Sequence, residues 1–327
     1  MNERYSRQEL VIGKKSQKRL ARAKVAILGL GALGSTEAEL LSRSGIGHLT
    51  LIDRDIVELS NLQRQLLYSE ADIGAPKAEA AGKRLRAINS TIKYNSIITD
   101  INHKNIGKIL SDHDLILDCT DNLYTRFLLN DFTRKKKLSW IYSGAIREQG
   151  SVMLVTPKTP CFRCTTPEAQ GLDTCDTAGV SNSIILAIAS IQAHEAITFL
   201  TNDGKPNTKN QNNGQFLVHL NLVALSLSKL KTKQNPSCPA CQGKYEYLSG
   251  KKETRSLSYQ CSDTYQFFIE NINLKALEKK WAPLGPIKKG KGFLFFKTLS
   301  VFDNGRILIK AKSIEQAKSI LTRYVGV

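Results

Sequence analysis

The run Lys24-Val-Ala-Ile-Leu-Gly29-Leu-Gly31-Ala-Leu-Gly34 constrains this chain more than any other part of it. An apolar strand, a glycine turn and the start of a helix follow one another without a spacer. Gly29 permits the tight turn, Gly31 lets backbone N–H groups approach a phosphate, and Gly34 lets the helix pack close to the sheet. The helix N-terminus then offers unpaired N–H groups and a positive dipole end to an anion. A second strand, His48-Leu-Thr-Leu-Ile-Asp53, ends in an acid 24 residues beyond Gly29. That is close to the roughly 20-residue spacing of an acid that binds ribose hydroxyls. These two parts suit any dinucleotide enzyme, and a NAD-dependent oxidoreductase of the Rossmann type is the reading they leave open.

The rest of the chain extends the pattern. Strand-like runs at 24–28, 48–52, 93–98, 114–119 and 140–145 alternate with helical segments such as 77–88 and 124–132. Alternating units of this length predict an α/β fold with a Rossmann-like, doubly wound, mostly parallel sheet. The runs 151–156 and 216–222 follow without a clear crossover and read as an antiparallel extension. Residues 181–199 are apolar nearly all round, which predicts a buried helix or part of a subunit interface. Residues 201–214 are polar and turn-rich, a surface loop. The organisation expected is a domain over 1–245, a linker over 246–260 and a small basic α+β module over 261–327. That module reads β-α-β-β-α, with Asp303-Asn-Gly305 as a tight hairpin turn.

Phosphate chemistry separates the readings. A dinucleotide pyrophosphate is held largely by the glycine loop and the helix end, whereas a triphosphate with magnesium needs further cations and an acid. Ser60-Asn61-Leu-Gln-Arg64-Gln65 supplies a cation and two amides at spacing i, i+3, i+4, one face if the stretch is helical. Lys77 follows Pro76, a residue favoured at helix starts, so it adds a point charge at a helix N-terminus. Asp114-Leu-Ile-Leu-Asp118-Cys-Thr-Asp121-Asn122 is a buried strand ending in acids. Ligands of open α/β sheets bind beyond the carboxyl ends of strands, which places Asp121 for a Mg2+ ion. Each of these residues alone is an ordinary surface charge; together they favour ATP over a nicotinamide cofactor.

Seven cysteines divide by spacing. Cys161-Phe-Arg-Cys164 and Cys238-Pro-Ala-Cys241 are two C-x-x-C knuckles, a thiolate set for tetrahedral structural Zn2+ with no open position for catalysis. Cys175 precedes the long apolar helix, where a lowered pKa makes a thiol nucleophilic; a bystander in a loop is the alternative. Cys119 reads as a packed strand thiol, and Cys261 has no legible role. The first seven residues lack the apolar core of a signal peptide, and no run of about 18 apolar residues that would span a membrane is expected. A cytoplasmic protein with reduced thiols and no membrane association follows as the expectation. The net charge is +18, half of it in residues 251–327, which hold 15 Lys+Arg against 6 Asp+Glu. With no nucleic-acid module in the sequence, this basicity reads as solvated surface or as a face for an acidic protein partner rather than a nucleic-acid site.

Taken together, Arg4-Tyr-Ser-Arg7-Gln, the glycine loop, Ser60-Asn-Leu-Gln-Arg-Gln65, Pro76-Lys77, Asp118-Cys-Thr-Asp121-Asn and both cysteine pairs resemble the ThiF/MoeB adenylyltransferases. These are relatives of ubiquitin-activating enzymes that activate ubiquitin-like sulfur carriers for thiazole or molybdopterin synthesis. The resemblance covers roughly residues 3–245. It implies that Asp53 binds ribose, that Asn61, Arg64 and Lys77 bind ATP phosphates, and that Asp121 holds magnesium. It implies zinc on Cys161, Cys164, Cys238 and Cys241. Arg7 matches an arginine that reaches the ATP of the other subunit, which implies a homodimer. Cys175 matches a cysteine that some members use in sulfur or thioester chemistry. The implied partners are a carrier protein ending in Gly-Gly and a persulfide sulfur donor such as a cysteine desulfurase. The basic C-terminal module departs from the shorter members and resembles an extension of thiazole-type enzymes in low-GC Gram-positive bacteria. A carrier-binding protein that keeps the fold without catalysis is the remaining alternative.

Overall fold

A computed structural model describes residues 3–166, 178–202, 215–252, 264–269, 271–290 and 292–326. The chain divides into two compact units, one of residues 1–55, 59–71 and 76–253, the other of 56–58, 72–75 and 254–327.

The first unit begins with α1 (Ser6–Ile12) and α2 (Lys14–Leu20). The alternating units follow: β1 (Lys24–Leu28), α3 (Ala32–Ser44), β2 (His48–Asp53), α4 (Lys77–Ile88), β3 (Lys93–Ile98), α5 (Ile106–Leu110), β4 (Leu115–Asp118), α6 (Leu123–Lys136) and β5 (Trp140–Ile146). Next come β6 (Gln149–Val155), α7 (Phe162–Thr165), α8 (Asn182–Thr201), β7 (Phe216–Asn221) and β8 (Ser226–Lys231). One sheet has the order β3-β2-β1-β4-β5-β6-β7-β8. Its first five strands are parallel and the last three antiparallel, as the alternation of strands and helices predicts. β1 and β4 are buried along nearly their whole length, which is why they read as continuous apolar runs. The chain winds outward from β1 to β3 and then returns to β4. The strand order therefore reverses between β1 and β4, and their carboxyl ends open the crevice.

Strand β8 lies outside the expected pattern. Its residues Ser-Leu-Ser-Lys-Leu-Lys are all exposed, so no core-facing run marks them. Residues 246–252, expected as linker, contain Tyr247, which is buried against Phe127 and Tyr124 and whose N–H donates to Asp131 at 3.0 Å. Helix α8 is capped by Ser181 and packs on α3, β5 and β6. Contrary to the expectation from sequence, it is long and apolar enough to cross a membrane by composition, with half of that span buried inside the protein. Gln192 on α8 donates to the carbonyls of Asp118 and Ile141 (3.3 and 3.1 Å), tying the helix to the ends of β4 and β5.

The second unit holds β9 (Thr264–Phe268), α9 (Leu274–Trp281), β10 (Lys288–Gly290), β11 (Phe293–Phe296), β12 (Leu299–Phe302), β13 (Arg306–Lys310) and α10 (Ile314–Tyr324). Its antiparallel sheet runs β10-β11-β12-β13-β9. Four strands stand between the helices where the sequence suggested two. The run from Phe293 to Phe302 reads as one strand, but Lys297 takes φ 56° and folds it into a hairpin. Asp303-Asn-Gly305 makes the expected turn between β12 and β13. Trp281 stacks on Phe296 at 5.2 Å and donates to the Tyr324 carbonyl at 2.9 Å, closing the core.

Glu37 on α3 is fully buried, and neither of its carboxylate oxygens has a hydrogen-bond partner among the described residues. Burial alone pushes this carboxyl well above its ordinary range. The folded state therefore keeps a proton that the unfolded chain has released. Stability is full below the ordinary glutamate pKa and falls as pH rises through the window between the unfolded and folded values. The slope is at most about 1.4 kcal/mol per pH unit. Urea melts at pH 5 and pH 8 should show this loss for the wild type, and the Glu37→Gln variant should be flatter between the two.

Candidate functional site

The crevice is assembled from three loops at the carboxyl ends of β1, β2 and β4. After β1, Gly29 turns at φ 88°, and a Cβ there would lie 2.9 Å from the Cys119 carbonyl oxygen. Gly34 is more constrained, since its Cβ would lie 1.8 Å from the Gly29 carbonyl oxygen. Gly31 is different. A Cβ would meet only the Gln65 amide at 3.9 Å, so the space beside this residue is open. Gly31 is the N-terminal flanking residue of α3 and no side chain caps the helix, leaving the first N–H groups directed at the crevice.

At the end of β2, Asp53 is buried. Its Oδ2 accepts from the Leu30 N–H and its Oδ1 from the Asp55 N–H, both at 2.6 Å. Burial pushes this carboxyl up, and the nearby Lys77 ammonium and the two N–H groups oppose that. Lys77 opens α4 after Pro76, is itself buried, and lies 3.7 Å from Asp55. Arg54 pairs with Asp100 at 3.3 Å and Asp55 at 3.7 Å. Burial acts to lower its pKa, and Asp55, Asp100 and Asp53 together hold it above its ordinary value.

Asn61, Arg64 and Gln65 stand on one turn, because the N–H groups of Arg64 and Gln65 both bond to the Asn61 carbonyl (3.1 and 3.0 Å). A short 3-10 piece, Leu59–Asn61, leads into it, and residues 62–64 are turn rather than helix. Asn61 and Gln65 are buried and Arg64 is half-buried. Gln65 Oε1 is buried without a hydrogen-bond partner among the described residues, an acceptor suited to a donor on a bound ligand. Tyr68 ties the turn to the glycine loop by donating to the Leu30 carbonyl at 2.9 Å.

After β4, Asp121 is exposed on the loop that Asn122 converts into α6 by capping the N–H groups of Tyr124 and Thr125. Beneath it Asp118 is fully buried and pairs with Arg126 at 3.1 Å. Arg126 also donates to the carbonyls of Thr120 and Ser143 and lies over the Tyr142 ring. One guanidinium thus holds the loop that carries Asp121. Arg54, Asp55, Tyr68, Asp118 and Arg126 were not singled out from sequence as site residues. The string Asp53-Arg54-Asp55 at a strand end was the available signal for two of them.

The four knuckle cysteines converge. Their sulfur atoms lie within 4.8 Å of one another, and the close pairs are 3.5–3.7 Å apart. Four sulfurs around one ion at about 2.3 Å would be spaced about 3.8 Å, so the set fits a tetrahedral zinc site. None of these four is in a disulfide. Arg134 donates to Cys241 Sγ at 3.2 Å, offsetting the charge of a thiolate. Arg7 is exposed on α1. Cys175 and Cys261 lie outside the described residues.

Comparison with known proteins agrees with this geometry. The ThiF family model matches residues 5–240. The chain is 33% identical, over the whole of both proteins, to the sulfur carrier protein ThiS adenylyltransferase of Bacillus subtilis. It is 36% identical to the molybdopterin-synthase adenylyltransferase of Escherichia coli, covering 73% of this chain and 95% of that one. Among solved structures it is similar to E. coli MccB with ATP, at a TM-score of 0.64 and 25% identity over 74% of this chain and 75% of that one.

The close approach at Gly34 gives a direct test. Gly34→Ala should destabilise the protein by about 3 kcal/mol, the upper end of overpacking costs, and remove nucleotide binding. Urea unfolding and calorimetric ATP titration read the two effects separately.

Proposed function

We propose the following for a chain that belongs to the ThiF family: it is a nucleotidyltransferase that uses ATP to adenylate the C-terminal glycine carboxylate of a small ubiquitin-like sulfur-carrier protein. The observation that carries this reading is the convergence of Asp53, Lys77 and the Asn61–Gln65 turn on the glycine loop, in a chain whose full length aligns with a ThiS adenylyltransferase. The nicotinamide reading left open by the glycine loop alone gives way, because it has no use for the added cation turn.

The chemistry needs little from general bases. A chain-terminal carboxylate has a pKa near 3.5 and is already ionised at neutral pH. It attacks the α-phosphorus of ATP; a carboxylate oxygen–phosphorus bond forms, the bond from the α-phosphorus to the bridging oxygen breaks, and pyrophosphate leaves. The residues of the crevice then act by positioning and charge stabilisation. Asp53 fixes the ribose hydroxyls, and the α3 N-terminus faces phosphate. Arg64, Lys77 and Asn61 hold the phosphates, with the Gln65 amide beside them. Asp121 would hold Mg2+, which supplies neutralisation of the phosphate charge; one exposed carboxylate plus phosphate oxygens is the ligation that ion prefers.

Further parts of the reading concern the whole assembly. Arg7 reaches the ATP of a second copy, making the enzyme a homodimer; the exposed Leu10 and Val11 on the same helix support a covered α1 face. The carrier is of the thiazole type, because the relative matched end to end acts on ThiS. The outer sulfur of a persulfide donor then attacks the acyl-adenylate, forming an acyl disulfide and releasing AMP. The Cys175 thiolate attacks the donor's sulfur, releasing the thiocarboxylate and leaving a Cys175–donor disulfide that a cellular dithiol reduces. Zinc sits on the four knuckle cysteines as a structural ion. A reducing compartment, the cytoplasm, keeps those thiols available.

ATP–pyrophosphate exchange dependent on a Gly-Gly-ended carrier is the expected activity. Arg64→Ala and Asp121→Ala should each lower it by about 100-fold, in the range seen on removing one charge-stabilising group; normal exchange by both would overturn the assignments. Cys175→Ser should retain exchange and lose thiocarboxylate formation by mass spectrometry. Metal analysis should give one zinc per chain, and Cys238→Ser should lose it together with several degrees of thermal midpoint.

A further inference from the structure

The family model ends at residue 240, and the role of the chain beyond it is not accounted for by adenylation. The composition of the second unit bears on this. Besides residues 254–327 it includes two short pieces from far upstream, 56–58 and 72–75. Between them run residues 59–71, which carry Asn61, Arg64 and Gln65. The phosphate-binding arm therefore starts on one piece of this unit and ends on another.

Both feet of the arm are held. They pair with each other, with the Val57 N–H bonding the Ala75 carbonyl and the Gly74 N–H bonding the Val57 carbonyl, each at 2.8 Å. On the first foot, Glu58 Oε2 lies 3.5 Å from Lys310 Nζ on β13, and Oε1 accepts from the Thr264 hydroxyl at 3.4 Å. On the second, Lys288 Nζ on β10 donates to the Ile73 carbonyl at 2.7 Å. Gly74 takes φ 86° and sits so close to the Phe295 ring that a Cβ would come within 2.4 Å of it. Fixing both ends of an arm removes conformations in which its polar groups point away from the ligand, which lowers the ordering cost of binding.

We propose that the C-terminal module positions the phosphate-binding arm, with Glu58, Lys288, Phe295 and Lys310 as positioning residues that act through Asn61, Arg64 and Gln65. The proposal rests on the reading that this arm contacts ATP phosphates. It makes a selective claim: the module matters for the triphosphate and not for the adenosine end, which Asp53 holds. A role confined to the stability of the module would affect all nucleotides alike or none.

The test uses full-length protein in carrier-dependent ATP–pyrophosphate exchange. Variants Glu58→Lys, Lys310→Glu, their combination, Phe295→Ala and Lys288→Ala are compared with Lys289→Ala, which breaks the Lys289–Glu278 pair of the same module and none of the foot contacts above. The readouts are KM for ATP, kcat, and the inhibition constant of AMP, which lacks the β- and γ-phosphates. Each single charge reversal should raise KM for ATP by about threefold, the scale of a partly exposed ion pair, and the combined swap should recover it. Phe295→Ala should raise it further, while Lys289→Ala and the AMP inhibition constant stay unchanged. Should Phe295→Ala fail to fold, Lys288→Ala, which loses one exposed hydrogen bond, reads the second foot. Unchanged ATP KM across the foot variants, or equal losses for ATP and AMP, would overturn the proposal. Arg64→Ala separates the two levels: impairment there with silent foot variants overturns the clamp alone, whereas a silent Arg64→Ala overturns the phosphate reading beneath it.

Discussion

The backbone contact between Gly34 and Gly29, with Cys119 behind both, is the constraint on which the site depends. A side chain on Gly34 would collide with the Gly29 carbonyl, and one on Gly29 with the Cys119 carbonyl. That contact brings the start of α3 against the ends of β1 and β4 at the point where the strand order reverses. Because the packing there leaves no room, the free N–H groups of α3 cannot retreat from the crevice. Gly31, by contrast, has open space beside it, as a residue bordering a ligand requires.

Around this fixed corner the charges are arranged in tiers. Asp53 and Asp118 are both buried carboxylates whose pKa values burial raises, and both are countered by a basic residue, Lys77 for one and Arg126 for the other. The second tier holds the first in place: Asp55 links to Lys77 and Arg54, while Arg126 gathers the carbonyls of Thr120 and Ser143. A polyanionic ligand entering such a crevice meets groups that are already oriented. The reorganisation it would otherwise demand has been carried out in folding.

Much of this was legible because each feature has a local physical signature. Buried parallel strands read as apolar runs, the glycine turn has its spacing, and Pro76-Lys77 marks a helix start. The two C-x-x-C pairs were legible as a set even though 73 residues separate Cys164 from the next knuckle cysteine. What was not legible depends on tertiary partners. Tyr68 acquires its role only by reaching Leu30, Arg126 only by reaching Asp118, and Tyr247 only by docking on α6. The second unit was read with two strands too few, one because Lys297 adopts a left-handed turn with no glycine to announce it and the other because β10, Lys-Lys-Gly, is exposed throughout. Strand β8 escaped because it is exposed on every residue.

Helix α6 links the four-cysteine cluster to the crevice. It begins at the Asn122 cap, next to Asp121, and its last turn carries Arg134, bonded to Cys241 and to the carbonyls of Thr156, Pro157 and Thr159. Midway, Asn130 accepts from the Phe162 N–H of the first knuckle and Asp131 from Tyr247 beyond the second. A 14-residue helix spans about 21 Å as one stiff element. Its far end meets the four-cysteine cluster, a set of thiols whose spacing could hold one metal ion. An ion held there would fix one end of the rod whose other end presents Asp121 and, through Arg126, the loop that carries it.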